Sequence, residues 1–152
     1  MRKNYIALLL VLLLVACNKM EHTNVPMVTL SHENGLTLSV SPDLKYKKAQ
    51  DGFIIYPEGG LDRRSPIQVT ISYIQGKTPE GDWQSKSIGG STVYYRQTSQ
   101  SGGSGGTEYE LEAWKDCIGG YIRTEQTVQL EYGDPDFSLT WQVISNADRK
   151  GS

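Results

Sequence analysis

The sequence predicts a mainly β fold: an antiparallel sheet of about ten short strands, folded over into a sandwich-like domain with little helix. Short segments in which apolar and polar residues alternate follow one another along most of the chain, and glycine-containing turns separate them. Residues 67–73 give the clearest strand signal, because every second residue there is apolar. Apolar residues never recur at helical spacing over more than two turns, and we therefore expect few helical residues.

Three tight hairpins are expected at dipeptides that favour two-residue turns. Glycine and asparagine are suited to such turns because both central residues need a positive φ. The hairpins comprise residues 27–33 and 36–40 around Asn34-Gly35, residues 45–50 and 53–57 around Asp51-Gly52, and residues 84–88 and 91–98 around Gly89-Gly90.

Three further strands are predicted in the second half of the chain, over residues 108–115, 121–132 and 137–144. If each strand reverses the direction of the one before, the loops at 74–83, 99–107 and 133–136 open on the same end of the sheet. The loop at 58–66 then opens on the other end. Should residues 84–88 not form a strand, the grouping changes and loop 58–66 joins loop 99–107.

The N-terminus predicts an export signal and a lipid anchor. Arg2 and Lys3 precede an apolar run over residues 6–15, which is too short to span a membrane. The run ends in Leu-Val-Ala-Cys, which is typical of bacterial lipoproteins, although an ordinary signal peptide with a stray cysteine is the alternative. We expect Cys17 to be acylated with chains such as palmitate and to hold the protein on a membrane facing the periplasm. Asn18 at the next position favours the outer membrane over the inner one.

These signals divide the chain into four parts. We predict a signal peptide at residues 1–16, a lipidated tether at 17–26, a single β domain at 27–145 and a C-terminal tail at 146–152.

Length and charge limit the classes of function. The chain has 152 residues, enough for one domain with its own core. Removing residues 1–16 takes away two of the 15 basic residues and none of the 17 acidic ones, so the mature chain carries a net charge of about −4. The basic residues are scattered, which argues against nucleic-acid binding. Once Cys17 is acylated, Cys117 has no partner for a disulfide, and we expect a half-buried cysteine at a turn.

The inventory of catalytic side chains argues against an enzyme. The histidines are His22, in the tether, and His32, which we expect to be a solvated edge residue and not a base. No nucleophile-elbow motif is present. Glu108, Glu110 and Glu112 share one face of a strand, where a pair of carboxylates would suit a glycosidase. Alternation alone predicts the same placement as a solvated face, so the glycosidase is the weakest hypothesis.

Metal binding finds little support in the sequence. Asp134 with Asp136, and Glu58 with Asp62, offer oxygen ligands, but neither pair matches the spacing of a calcium loop. We predict that they are turn residues and that the protein uses no cofactor.

The stretch Gly-Gly-Ser-Gly-Gly at residues 102–106, here called the glycine loop, is the sharpest signal for binding. It lacks a lysine and precedes a strand, so it is not a phosphate cradle. A loop with few side chains can enter a narrow cleft and form hydrogen bonds there through its backbone, whereas a flexible connection is the alternative reading. The predicted partner-binding residues are those of this loop, those of two loops grouped with it, and an arginine pair that would bind carboxylates if the site lies on the other end: Gly102, Gly103, Ser104, Gly105, Gly106, Gly81, Asp82, Trp83, Asp134, Asp136, Arg63 and Arg64.

Several stretches resemble the immunity lipoproteins of type VI secretion. They are residues 34–38 (Asn-Gly-Leu-Thr-Leu), residues 51–53 (Asp-Gly-Phe), residues 102–114, Asp136-Phe137, and residues 141–143 (Trp-Gln-Val). The members that this chain resembles neutralise a peptidoglycan-cleaving muramidase effector delivered into the periplasm. The resemblance implies a non-enzymatic protein whose loops plug the sugar groove of the effector, with calcium among the ions that the effector can carry. The early segments also resemble the antiparallel sheets of photosystem II PsbP-like domains, which bears on the fold.

The expected partners are therefore a peptidoglycan-hydrolase effector protein and, through the N-terminal lipid, a membrane. The alternative is a general envelope lipoprotein that helps to assemble or protect a membrane complex and needs no dedicated toxin.

Overall fold

The computed structural model describes residues 26–63, 66–76, 78–101 and 105–151, and within them it contains ten strands and one short helix. The predicted signal peptide, Cys17 and His22 lie outside the described residues. The elements are β1 (Val28–Ser31), β2 (Leu36–Val40), β3 (Leu44–Lys48), β4 (Gly52–Pro57), β5 (Val69–Gln75), β6 (Gln84–Ile88), β7 (Ser91–Ser101), β8 (Thr107–Cys117), β9 (Gly120–Leu130), α1 (Ser138–Ser145) and β10 (Ala147–Arg149). The predicted mainly β fold with little helix is confirmed.

The strands form two antiparallel sheets. The larger sheet has the order β3-β4-β5-β9-β8-β7-β6, and the smaller one has the order β1-β2-β10. The strand β10 pairs residue by residue with β2, Ala147 lying opposite Leu38. Part of the segment predicted to be a C-terminal tail is thus a strand of the smaller sheet.

The core lies on one face of the seven-stranded sheet, here called the inner face. Apolar side chains of β4, β5 and β9 pack there against the smaller sheet, whose Leu36 and Leu38 are completely buried. Over β8 and β7 the inner face is covered by α1, whose Ile144 packs against Val93 and Ala113. Alternation of side chains along the strands therefore places one face in the core, and the opposite face, here called the outer face, carries most of the polar residues of these strands.

The three predicted hairpins are present, but the two-residue turn expected at Asp51-Gly52 is wrong, because Gly52 already belongs to β4 and has no positive φ. Gly89 and Gly90 both have positive φ, +57° and +81°, as a two-residue turn of this kind requires. In the first hairpin only Gly35 has positive φ, +88°, and the Asn34 Oδ1 instead accepts a hydrogen bond from the Leu36 backbone N–H at 3.1 Å. Sequence alone predicted the location of that turn and was wrong about the conformation of its asparagine.

The prediction of a strand over residues 137–144 is wrong, because Ser138–Ser145 is the helix α1. The buried face of α1 includes Thr140, whose hydroxyl donates to the buried Gln126 Oε1 at 2.7 Å. Because this buried position is polar, the apolar residues of the segment alone do not show the period of a helix. At the other end of α1, the buried Lys115 Nζ donates to the Ala147 carbonyl at 2.7 Å and lies 3.5 Å from the Ser145 carbonyl oxygen.

The predicted grouping of loops is also wrong. Four antiparallel steps separate β5 from β6 in the larger sheet, so the two strands point in the same direction. The segment between them therefore crosses the outer face, although residues 84–88 do form a strand. The strands β4, β7 and β9 all finish at the same end of the larger sheet. This end is here called the loop end, and the opposite end is called the turn end.

Candidate partner-binding site

The loop end carries three of the connections that the sequence singled out. They are residues 58–68, the glycine loop and residues 131–137. Gly105, Gly106, Asp134, Asp136 and Arg63 thus lie at the same end of the sheet, which corrects the expectation that loop 58–66 opens elsewhere. Gly102, Gly103, Ser104 and Arg64 are outside the described residues.

Two glycines join the glycine loop to the strand that follows it. Gly106 has φ +78°, and its Cα approaches the chain so closely that an added Cβ would collide with the Leu130 carbonyl and lie 3.1 Å from the Glu131 Cα. Gly105 has φ +92°, but an added Cβ would meet nothing within 4 Å. The fold therefore requires glycine at position 106, whereas at Gly105 the backbone is exposed to solvent with no atoms close by.

A groove of about 400 Å³ opens beside this loop, between the inner face of the sheet and the start of α1. Its apolar walls come from strand ends, the 58–68 connection and the helix, and its polar rim includes two predicted site residues, Asp134 and Asp136. The apolar members are Leu44, Pro57, Ile67, Val128, Leu130 and Leu139. The sequence did not predict this groove, because its walls meet only when α1 packs on the sheet.

The loop end is acidic. Its three connections expose five carboxylates, compared with one arginine, Arg63, among their described residues. These carboxylates belong to Glu58, Asp62, Glu131, Asp134 and Asp136. The Asp136 Oδ1 accepts a hydrogen bond from the Ser138 backbone N–H at 2.8 Å, and this bond lowers the pKa of Asp136. The group remains ionised near neutral pH and presents a fixed negative charge, not a proton donor.

The third predicted group, Gly81, Asp82 and Trp83, lies on the outer face and away from the loop end. The Trp83 indole N–H donates to the Glu80 carbonyl at 2.9 Å, and its ring meets Trp114 edge-on at 6.2 Å between centroids. The Arg96 guanidinium lies 4.6 Å from the centre of the Trp83 ring. These contacts pin the crossing segment to the sheet, so Trp83 has a structural role that its sequence position did not reveal.

The three glutamates of β8 occupy one face, as predicted, but they are not equally solvated. Glu110 is exposed, whereas the Glu112 side chain is only 12% exposed. Its carboxylate accepts from Arg123 at 2.6 Å, Arg96 at 3.1 Å and the Trp114 indole at 3.0 Å. Glu112 is thus the centre of an ion-pair cluster on the outer face.

Two other expectations concern single titratable residues. His32 is buried, not solvated: its Nε2 lies 3.2 Å from the Ala49 carbonyl oxygen, and its ring packs edge-on against Phe53. Cys117 is half-buried at the end of β8, as predicted, and burial raises the pKa of its thiol.

The described residues lack both a cluster of metal ligands and a helix that could span a membrane. Among them, no group of three or more histidine, cysteine, aspartate or glutamate side chains is arranged to hold a metal ion. The one helix in this part of the chain is not long and apolar enough to cross a membrane.

Comparison with solved structures shows the likeness of the fold. A crystal structure of a protein from Bacteroides thetaiotaomicron superposes with a TM-score of 0.58 at 11% identity and covers 77% of this chain. The chain spans about half of that protein, since 46% of it is covered. The solution structure of cyanobacterial PsbP from Synechocystis aligns with 83% of this chain and 94% of its own at a TM-score of 0.46 and 12% identity.

Comparison with known sequences gives the family. Residues 37–148 match the model of the type six secretion immunity 3 domain, Tsi3. The chain is also 32% identical over 119 residues to the immune protein Tsi3 of Pseudomonas aeruginosa, an alignment that covers 78% of this chain and 80% of the relative. Residues 37–148 include most of β2, the whole of β3 to β9, the glycine loop, and the helix that forms one wall of the groove. This chain belongs to the Tsi3 family of type VI secretion immunity proteins.

Proposed function

We propose that this immunity protein is a lipoprotein facing the periplasm, and that its loop end binds a peptidoglycan-cleaving muramidase effector and blocks the sugar groove of that enzyme. Membership of the family supports binding to an effector protein, because an immunity protein acts by binding an effector. The shared position of the glycine loop, the apolar groove and the acidic connections supports the loop end as the contact surface, and the resemblance to muramidase-neutralising immunity lipoproteins supports the muramidase as the target. A loop whose sequence has few side chains, beside an apolar groove, suits insertion into a cleft better than docking on a flat surface.

Charge further defines the proposed contact. Five exposed carboxylates at the loop end would repel an acidic surface and attract a basic one. A cleft that binds this end should therefore present lysine, arginine or a bound calcium ion near the entering loop. If calcium contributes, removing it from the effector with EGTA will weaken the complex, and adding it back will restore the affinity.

The test begins with the effector candidate encoded beside this gene. The mature protein and that effector should co-elute from a gel-filtration column, and the protein should stop the effector from lysing purified peptidoglycan. Failure to co-elute, with lysis unchanged, would contradict the proposal.

Substitutions at two matched glycines locate the contact. Gly105→Arg should weaken inhibition by at least about tenfold, since a bulky side chain would block entry to a cleft, and a tenfold loss is about 1.4 kcal/mol. Gly90→Arg is the control: Gly90 also has positive φ and free space around it, but it lies at the turn end. Both variants carry similar backbone strain, and therefore only the position differs. Equal inhibition by the two variants would remove the glycine loop from the interface.

A second matched pair tests the charge. Asp134→Arg reverses an exposed carboxylate on the groove rim, whereas Asp116→Arg makes the same change near the turn end of β8. We expect only the first change to slow association with the effector, and the difference between the variants should shrink as salt is added.

The anchor is tested separately in cells. The wild-type chain should incorporate labelled palmitate and fractionate with the outer membrane, whereas Cys17→Ser should do neither. Palmitate incorporation by the serine variant would rule out Cys17 as the acylated residue.

A further inference from the structure

Exposed apolar residues concentrate at one corner of the domain, here called the corner patch and made of Met27, Val28 and Tyr46. They are 44%, 43% and 51% exposed. The described chain has two other large apolar residues this exposed, Ile118 and Tyr132, and neither lines the surface depression at this corner. Val28 and Tyr46 line the same surface depression, of about 380 Å³, and Met27 precedes Val28 in the chain. A clustered patch of this kind marks an interaction surface more often than scattered apolar residues do.

The corner patch lies between two unpaired sheet edges. The strand β1 is an edge of the smaller sheet, and β3 is an edge of the larger one. The depression is completed by three apolar residues, Val40, Pro42 and Leu44, and by the amphipathic side chains of Lys45 and Tyr56. Tyrosine and lysine suit a water–lipid boundary because each combines an apolar body with a polar tip.

The strand β3 is also rich in positive charge, although the mature chain as a whole is acidic. Three of its five residues are Lys45, Lys47 and Lys48. Lys45 lies 3.6 Å from the Glu58 carboxylate and Lys48 lies 3.2 Å from that of Glu33, and more than half of each glutamate side chain is exposed. Such surface pairs contribute little free energy, so the lysines remain available to phosphate groups.

The short segment before residue 26 limits the distance between the corner patch and the lipid that holds the proposed anchor. Residue 26 directly precedes the corner patch, and residues 17–25 connect it to the proposed acylated cysteine. Nine residues span at most about 30 Å even when fully extended. The lipid surface is therefore held within reach of the patch at a high effective concentration, which favours even a weak contact.

We propose that the corner patch rests on the phospholipid surface in which the protein is anchored and thereby sets the orientation of the domain. The inference relies on the anchor in the proposed function but not on the identity of the effector. Four strand spacings separate β3 from β8, or about 19 Å. With the β3 edge on the membrane, the strands that carry the glycine loop stand clear of the lipid, whereas Leu44 at the start of β3 lies where the corner patch adjoins the groove.

The test uses the mature chain from residue 17 with an N-terminal histidine tag in place of the acyl chains. Vesicles of phosphatidylethanolamine and phosphatidylglycerol, doped with a nickel-chelating lipid, hold the tag. Hydrogen–deuterium exchange of the vesicle-bound chain is compared with that of the same chain in solution. We expect slower exchange on vesicles in residues 27–31 and 44–48, and unchanged exchange in residues 91–101.

Matched substitutions decide whether the apolar side chains cause this protection. The double variant Met27→Ser with Val28→Ser should reduce it about tenfold, equivalent to about 1.4 kcal/mol. Ile118→Ser removes a more exposed apolar side chain at the turn end and should leave the protection unchanged. Both variants change exposed positions, and unaltered exchange in solution confirms that each is folded.

Three outcomes would overturn the inference. They are an absence of protection on vesicles, equal protection in the double serine variant, and protection of the same residues in solution when the protein concentration is raised. The last result would identify a second copy of the chain as the occupant. None of the three concerns the effector, and failure to bind an effector leaves this result intact.

Discussion

The ion-pair cluster around Glu112 makes a quantitative prediction. Glu112→Gln keeps the size of the side chain but removes the charge that accepts from Arg96, Arg123 and the Trp114 indole. A hydrogen bond to a charged group contributes about 1.5–3 kcal/mol, and the amide oxygen can keep part of this network. Arg96 and Arg123 are 48% and 30% exposed, so solvent screens both pairs. We therefore expect a loss of about 2 kcal/mol in the free energy of unfolding.

Urea denaturation followed by tryptophan fluorescence measures this loss. For a domain of this size, 2 kcal/mol also lowers the Tm by about 8 °C. Glu110→Gln is the matched control, since Glu110 lies on the same face of β8 but is exposed, and its effect should stay within about 0.5 kcal/mol. Equal stability of the two variants would refute the reasoning and reduce the cluster to a solvated surface network.

Three further predictions concern stability. Lys115→Met should cost about 1–2 kcal/mol in urea denaturation, because the Ala147 carbonyl loses its buried donor. Gly106→Ala should cost about 1–3 kcal/mol by thermal unfolding, because the new methyl group collides with the Leu130 carbonyl in a strained conformation. Burial, more than the neighbouring charges, raises the pKa of Glu125 above its ordinary value of 4.5. The folded state therefore binds this proton more tightly, and the wild type should lose stability relative to Glu125→Gln as pH rises from 4.5 through the folded pKa, as urea titrations at several pH values will show.

The sequence predicted local features well where the signal was local. The alternation in residues 67–73 placed β5 with the correct residues inward, and the paired glycines at 89 and 90 located a tight turn. The prediction that Glu108, Glu110 and Glu112 share a face was correct for the same reason, since successive side chains of any strand point to opposite sides.

The candidate site was predicted only in part. The sequence selected the glycine loop and the aspartates at 134 and 136, which the structure places at one end of the sheet. It wrongly grouped Trp83 with them and placed Arg63 on the opposite end. Both errors follow from one assumption, that each strand reverses the direction of the one before, whereas β6 runs in the same direction as β5 and pairs with β7.

By itself, the sequence determined the places of β1 to β9, the face of the alternating strands that enters the core, and the locations of the tight turns, but it assigned a strand to residues 137–144 and missed β10. The correct assignments depend on the period of two and on which residues tolerate positive φ. Tertiary structure alone decided that residues 138–145 form a helix, because Gln126 and Lys115 provide partners from distant strands. It also decided the direction of β6, since pairing between strands far apart in the chain depends on the packing of whole sheets. The groove at the loop end results from the first of these decisions, because α1 supplies one of its walls.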